Sequence, residues 1–150
     1  MKFESVDEIL GFAIQREQDA ADFYIGLAKK MERPSMKDIF LGFAEEEKGH
    51  KAKLQAVKKG QKLDLPREKI LDLKIGDYLA EVKGDANLDY QQALILAMKS
   101  EKISFRLYND LAGATQDSEM KKLFLALAQE EAKHKLRFEL EYDEQILKDN

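Results

Sequence analysis

The sequence predicts an all-α protein built from two antiparallel helical hairpins that are joined by a long crossover. Four long segments have helical periodicity, two short breaks join them in pairs, and one longer irregular stretch separates the pairs. The composition agrees, since the 150 residues are 44% hydrophobic and 36% charged but include only 8 Gly and 2 Pro. A chain of this length suits one domain, here residues 1–150.

The first hairpin is predicted to contain a helix from about Ser5 to Met31, opened by a capping box of Ser5 and Glu8. The stretch "ERPS" then breaks the chain. Ser35 is predicted to cap a second helix that extends to about Lys59. Because the joint is short, the two helices are expected to lie antiparallel.

The second hairpin is predicted to begin with a helix from near Asp89 to around Gly113. Its partner helix follows "TQDS", with Asp117 or Ser118 as the cap, and continues to about Leu147. The crossover between the hairpins covers residues 61–86, in which "IGDYLAEV" can form a short helix. A connection of this length is explained if it runs along the length of a helical bundle.

The two hairpins, about 6–60 and about 89–147, are related by an internal duplication. A shift of 84 residues superposes them without a gap. The matched pairs include Glu17 with Glu101, Tyr24 with Tyr108, Phe40 with Phe124, Glu47 with Glu131, and His50 with His134.

Charge and cysteine content exclude several function classes. The net charge is −4 and the basic residues are scattered, which argues against a nucleic-acid partner. No apolar run reaches the roughly 20 residues of a membrane span, and the N-terminus lacks the pattern of a signal peptide, so a cytoplasmic location is expected. The absence of cysteine excludes disulfides and thiolate-held metals. Any metal must therefore be held by carboxylates and imidazoles.

Glutamates occupy the apolar stripe of every long helix. The other predicted stripe residues include Leu10, Ala13, Tyr24 and Leu27 in the first helix, Met36, Phe40, Phe43, Leu54 and Val57 in the second, Phe105 in the third, and Phe124 and Phe138 in the fourth. The first and third helices each carry one of these glutamates, Glu17 and Glu101, and the other two each carry Glu-x-x-His. A buried carboxylate costs several kcal/mol or is neutralised unless a partner balances it. Since partners within each hairpin lie nearly equally far from the turn, a two-fold relation would bring the four Glu together, with both His one turn away. Oxygen and imidazole donors suit iron or manganese. The alternative is two solvated helix faces that look alike.

These motifs resemble those of the ferritin-like di-iron carboxylate proteins, and most closely the di-iron domain of rubrerythrins, from about Val6 to Leu140. The resemblance implies a ferritin-like four-helix bundle that holds two iron ions, with manganese as another candidate. It also implies a role for each ligand, namely terminal ligation by Glu17 and Glu101, bridging by Glu47 and Glu131, and completion of the two coordination spheres by His50 and His134.

Two departures from typical rubrerythrins shape the expected function. Ser104 stands where they carry a further Glu, and these 150 residues contain no cysteine with which to form the cysteine-bound iron domain that they also carry. The resemblance therefore implies a stand-alone, six-ligand protein whose electrons come from an external donor such as a rubredoxin-like protein. It also suggests a homodimer. No catalytic residue is expected beyond the metal ligands.

Tyr24 and Tyr108 each follow a ligand Glu by two helical turns on the same face. Helical side chains lean toward the N-terminus, so each hydroxyl is predicted to reach back and orient that carboxylate. The alternative is a tyrosine buried in the core for packing alone.

The expected function is redox chemistry at a non-haem di-iron centre, with hydrogen peroxide or dioxygen as the oxidant. Three alternatives use the same residues. A ferroxidase or iron-storage protein would need a cage, and a di-manganese catalase-like enzyme would need no electron donor. A non-enzymatic, metal-stabilised helical scaffold or binding module would bind metal without reacting with an oxidant.

Overall fold

The computed structural model describes residues 2–78 and 89–149, and within these ranges it contains helices and no strand. The long helices are α1 (Val6–Lys30), α2 (Pro34–Lys59), α4 (Tyr90–Ala114) and α5 (Ser118–Asp149), with a short α3 (Arg67–Asp72) and a 3₁₀ turn (Ile75–Tyr78) between them. The all-α prediction is confirmed.

The chain forms two compact units. The first consists mainly of residues 2–73, with α1 to α3, and the second mainly of residues 74–114 and 118–149, with the 3₁₀ turn, α4 and α5. Each unit contains one of the two predicted hairpins. That all 150 residues form a single domain stays a prediction. No helix among the described residues is both long and apolar enough to cross a membrane.

The start of α1 confirms half of the predicted capping box. The Ser5 Oγ accepts the backbone N–H of Glu8 at 3.1 Å, as expected for an N-cap residue. The Glu8 carboxylate, however, accepts the backbone N–H of Glu4 at 2.7 Å. A capping box would require the Glu8 carboxylate to accept the backbone N–H of Ser5, which is one residue later.

The start of α2 corrects the predicted cap at Ser35. The helix begins at Pro34, with Arg33 in the N-cap position and no side-chain hydrogen bond to the cap. Proline is well suited to the first helical position, because its φ is already helical and it has no N–H to leave unsatisfied. The proline ring therefore starts the helix one residue before the serine.

Apolar side chains at the predicted stripe positions form the interior of the first unit. Leu10, Ala13, Tyr24 and Leu27 of α1 are buried, and so are Met36, Phe40, Leu54 and Val57 of α2. Phe43 is only half-buried and its ring lies 6.2 Å from that of Tyr24. Leu63, Leu65, Ile70 and Leu73 are also buried, so the start of the crossover contributes to the core.

The predicted helix "IGDYLAEV" is correct in part. Residues Ile75–Tyr78 form a 3₁₀ turn, and the remaining four positions of that stretch lie outside the described residues, as does the end of the predicted crossover.

The second hairpin starts with a reciprocal cap at Asp89. Its carboxylate accepts the N–H of Gln92 at 2.7 Å, and the Gln92 side chain accepts the N–H of Asp89 at 3.2 Å. This pairing satisfies two N–H groups at the helix start. The observed end of α4 and the bounds of α5 differ from the predicted ones by no more than two residues.

The prediction that Phe105 lies on the buried apolar stripe of α4 is wrong. Phe105 is 40% exposed, whereas Ser104 and Leu107 are buried instead. Successive residues of a helix are rotated by about 100° around its axis. The buried residues of α4 centre on a direction that lies between those of Glu101 and Ser104. Phe105 lies about 80° from that centre and therefore reaches solvent.

Tyr78 attaches the 3₁₀ turn to α4. Its hydroxyl donates a hydrogen bond to Asp110, and the neighbouring Asp77 forms an ion pair with Arg106 at 3.3 Å. Burial, followed by the bond to Asp110, raises the pKa of Tyr78 well above its ordinary value of 10.0.

We expect Tyr78→Phe to lower the free energy of unfolding near pH 8 by about 1–2 kcal/mol. The folded state of the parent holds the tyrosine proton more tightly than the unfolded state. The stabilisation of the folded state by the protonated Tyr78 hydroxyl is therefore fully present below about pH 10. It is lost as the pH rises toward the raised pKa of the folded state. Urea unfolding between about pH 8 and pH 11.5 measures the difference between the two proteins. A difference that does not shrink with rising pH would contradict this role.

Candidate metal centre

All six predicted ligands are buried. Glu17, Glu47, Glu101 and Glu131 are each no more than 1% exposed, and His50 and His134 are 2% and 4% exposed. The two helices of each hairpin contribute one predicted Glu each, and the second helix adds the His three residues after its Glu. The solvated-face interpretation is therefore wrong for these residues.

In the first hairpin, Glu17 of α1 meets Glu47 and His50 of α2. The His50 Nδ1 lies 3.5 Å from Glu17 Oε2 and 3.9 Å from Glu47 Oε1. Each of the three residues offers a ligand atom, and these atoms all lie within 4.8 Å of one another. We call these three residues the first cluster.

The second hairpin repeats this arrangement. Glu101 of α4 meets Glu131 and His134 of α5, with ligand atoms that again lie within 4.8 Å of one another. The His134 Nδ1 lies 3.6 Å from Glu101 Oε1, close to the 3.5 Å of the matching pair in the first cluster. These three residues form the second cluster, and the duplication seen in the sequence thus extends to the geometry.

The position of each Glu follows from its distance to the turn. Glu17 and the last residue of α1, Lys30, are 13 positions apart, and so are the first residue of α2, Pro34, and Glu47. The same separation relates Glu101 to the end of α4 and Glu131 to the start of α5. Because both helices of a hairpin rise equally per residue, the paired carboxylates lie at one level.

Both clusters fit a metal ion. Two donors that each lie about 2.1 Å from one metal are separated by roughly 3–4 Å, depending on the angle between them. The observed N···O separations of 3.5 and 3.6 Å agree, and are too long for good hydrogen bonds. A cation would also balance the buried carboxylates. Carboxylate oxygen with imidazole nitrogen is a donor set suited to iron or manganese.

Tyr24 and Tyr108 occupy equivalent places on α1 and α4, where they are 0% and 1% exposed. The ring of Tyr108 stacks on Phe124 with centroids 6.4 Å apart and planes 13° apart. Both tyrosines therefore belong to the core. That their hydroxyls orient Glu17 and Glu101 stays a prediction.

Sequence reasoning missed a buried polar pair in the second hairpin. Glu141 of α5 is 4% exposed, and its Oε1 accepts a hydrogen bond from the Tyr90 hydroxyl at 3.1 Å. Helical spacing could have predicted the burial of Glu141, which follows His134 by seven residues on the same face, but not its partner. Valine occupies the matching positions 6 and 57 of the first hairpin, so this pair distinguishes the two hairpins.

Comparison with known proteins shows the family of the chain. The family model for rubrerythrin matches residues 8–142, which is most of the sequence. The chain belongs to the rubrerythrin family. The match confirms the resemblance and the ferritin-like fold class that the sequence motifs predicted.

A solved structure supports the rubrerythrin assignment. A hypothetical protein from Pyrococcus furiosus is 28% identical, with a TM-score of 0.73 over 93% of this chain and 89% of that chain. No curated protein matches significantly. Together with the buried clusters, membership in the rubrerythrin family supports a metal-binding protein.

Proposed function

We propose that the two clusters act together as one di-iron centre of an oxidoreductase, which reduces hydrogen peroxide or dioxygen with electrons from an external donor. The observation that carries this proposal is the repeated, buried Glu-Glu-His cluster. Membership in the rubrerythrin family supports it further. We also propose a cytoplasmic location.

The proposed ligand roles follow the family pattern. Glu17 and Glu101 would serve as terminal ligands, Glu47 and Glu131 would bridge the ions, and each histidine would complete one coordination sphere. Four carboxylates formally balance two divalent cations, which explains why so many acidic groups can be buried in one small protein. Iron held there would supply the two electrons that, with two protons, convert one hydrogen peroxide to two water molecules.

The protein's own contribution is to hold donors in place and keep water away. Each cluster projects from two packed helices, so its donors are fixed by the helix packing rather than by mobile loops. Leu10, Leu54 and Leu94 share the helix faces of the ligands on α1, α2 and α4, and each is at most 1% exposed. Such an apolar surrounding restricts solvent access and tunes the properties of a metal site.

The electron donor is proposed to be a separate protein, such as a rubredoxin-like one. The chain has no cysteine, and so cannot build a cysteine-held iron site of its own. A role in iron oxidation and storage would use the same ligands, and the oxidant experiment below separates it from peroxide or dioxygen reduction.

The test is the amount of iron bound per chain after anaerobic loading with ferrous iron and removal of the excess. We expect two irons in the parent protein and a sharp loss in Glu47→Ala and Glu131→Ala. Glu46→Ala is the matched control, because Glu46 is exposed and immediately precedes Glu47. Parent protein that retains no iron would overturn the di-iron proposal, and manganese loading would then test the di-manganese alternative.

The loaded protein then distinguishes the oxidants. Rapid mixing with hydrogen peroxide or with dioxygen, followed by optical absorption, gives the oxidation rate for each. We expect one oxidant to react faster, and a reductant to restore the starting state for another cycle. Iron that reacts with neither oxidant would favour the scaffold alternative, and iron that is released on reduction would favour iron storage.

A further inference from the structure

Glu141 is a buried carboxylate that the proposed metal ligands do not account for. It is 4% exposed, and beyond the four ligand glutamates no other acidic side chain is buried in the part of the chain that the structure describes. A buried carboxylate costs free energy unless some gain offsets it. The proposed centre already balances its four carboxylates with two divalent cations, so Glu141 adds a further charge.

The packing of the hairpin does not require this carboxylate. The duplication places Val57 at the position of Glu141 and Val6 at the position of Tyr90. Val57 is 4% exposed, which is the same fraction as for Glu141. An apolar side chain thus fills the same place in the matching helix. The burial of an acidic group at position 141 therefore needs a reason other than packing.

The contacts of Glu141 suit an ionised carboxylate. Its Oε1 accepts a hydrogen bond from the Tyr90 hydroxyl at 3.1 Å, and the Gln145 Nε2 lies 3.5 Å from the same oxygen. Both groups can donate, and an ionised carboxylate offers only acceptors. Both groups are also neutral, so they solvate the negative charge without cancelling it.

Glu141 lies on the face of α5 that carries the second cluster. It follows His134 by seven residues, which places it on the same side of the helix and about 10 Å further along the axis. On α4, Tyr90 precedes Glu101 by 11 residues, or three helical turns on the same face. The polar pair and the second cluster are therefore two levels of one hairpin interior.

Apolar side chains occupy the space between these two levels. Phe138 lies between His134 and Glu141 along α5, and it is 1% exposed. Leu94 and Ala97, at the intervening positions of α4, are both 0% exposed. Water and salt screen charges weakly in such surroundings, so the charge of Glu141 acts on a cation one level away.

We propose that Glu141 tunes the metal held by the second cluster through its buried negative charge. The charge raises the affinity of the cluster for a divalent cation. It also favours ferric over ferrous iron, because the oxidised ion carries the larger positive charge. Glu141 is thus a charge-tuning residue that acts from a distance and not a ligand. The redox part of this proposal rests on the proposed function, whereas the effect on divalent cations does not.

Binding of Mn²⁺ to the metal-free protein tests the proposal without a redox step. Calorimetric titration gives the dissociation constant for the parent and for Glu141→Gln. Glutamine keeps an acceptor for the Tyr90 hydroxyl but removes the charge, and we expect the dissociation constant to rise at least about tenfold. Glu144→Gln is the matched control, because Glu144 is exposed on the same helix. Its effect should stay below about twofold, since solvent screens the lost charge.

Glu141→Asp separates the charge from the hydrogen bond. Aspartate keeps the charge, but its shorter side chain withdraws from the Tyr90 hydroxyl. A tuning role predicts that this variant binds Mn²⁺ nearly as tightly as the parent. A purely structural role predicts the reverse order, with Glu141→Gln close to the parent and Glu141→Asp the weaker binder. Circular dichroism melts of the metal-free variants confirm that each is folded.

The reduction potential of the iron-loaded protein is the second measurement. We expect an anaerobic redox titration, followed by optical absorption, to show a higher potential in Glu141→Gln than in the parent. A tenfold change in this one-electron equilibrium corresponds to about 59 mV. Glu141→Asp should remain close to the parent.

Equal Mn²⁺ affinities of the parent and Glu141→Gln would overturn the proposal, as would a parent that binds no Mn²⁺. So would equal losses in Glu141→Gln and Glu144→Gln. An unchanged potential in Glu141→Gln would overturn the redox part. The proposed function fails separately, when bound iron reacts with neither oxidant. A Mn²⁺ affinity that still depends on Glu141 would then support charge tuning of a metal site without redox chemistry.

Discussion

The metal-free protein is expected to become more stable when Glu47 is replaced by glutamine, whereas the metal-loaded protein is expected to become less stable. Without metal, Glu47 and Glu17 bury two carboxylates whose ligand atoms lie within 4.8 Å. Two unit charges no farther apart than this repel by at least about 3.5 kcal/mol at an effective dielectric constant of about 20. Glutamine keeps the shape of the side chain but removes one charge.

With metal bound, the sign of the effect reverses. A ligand present at about 1,000 times its dissociation constant adds about 4 kcal/mol to the stability of the folded state. In a protein of this size, that corresponds to a rise in melting temperature of roughly 10 °C. Glu47→Gln removes a proposed bridging carboxylate and weakens the binding that supplies this stabilisation.

Thermal melts of parent and variant, with and without ferrous iron under anaerobic conditions, measure both effects. Glu46→Gln is the control, because the exposed neighbour loses the same charge and should shift stability by less than about 0.5 kcal/mol. An effect of Glu47→Gln that has the same sign in both states would contradict a charge balance between metal and carboxylates.

The hairpins and the two clusters were predictable from the sequence because they depend on local spacing. Helical periodicity fixes which residues share a face, and the distance to a turn fixes their level along the hairpin. Glu47 and His50 needed only the i, i+3 rule, and pairing them with Glu17 needed only a short turn. The duplication then repeated the same pattern in the second hairpin.

The errors arose where a competing local effect or a distant partner decided the outcome. At Pro34 the rigid ring set the helix start, although Ser35 is a good capping residue by type. The partner of Glu141 is Tyr90, 51 positions away on another helix. No periodicity within one helix reveals such a pair, because it depends on the exact rotation of two helices against each other.

The burial of Phe105 and Phe124 also depends on how α4 and α5 are rotated against each other, which spacing within one helix does not reveal. Both were predicted to lie in the core by their spacing along α4 and α5, but Phe124 is 0% exposed and Phe105 is 40% exposed. The ring of Phe124 also stacks on the buried Tyr108. The two substitutions to alanine therefore remove the same atoms from very different environments.

We expect Phe124→Ala to lower the free energy of unfolding by about 3–5 kcal/mol, because it removes buried apolar surface and leaves a cavity beside Tyr108. Phe105→Ala should change it by less than about 0.5 kcal/mol, since its ring is partly hydrated in the folded state. Urea unfolding of the metal-free proteins measures both values without a contribution from metal binding. Equal losses would mean that α4 is rotated so that Phe105 faces the core. Because that rotation would also move Glu101 away from His134, this comparison tests the geometry of the second cluster without using any metal.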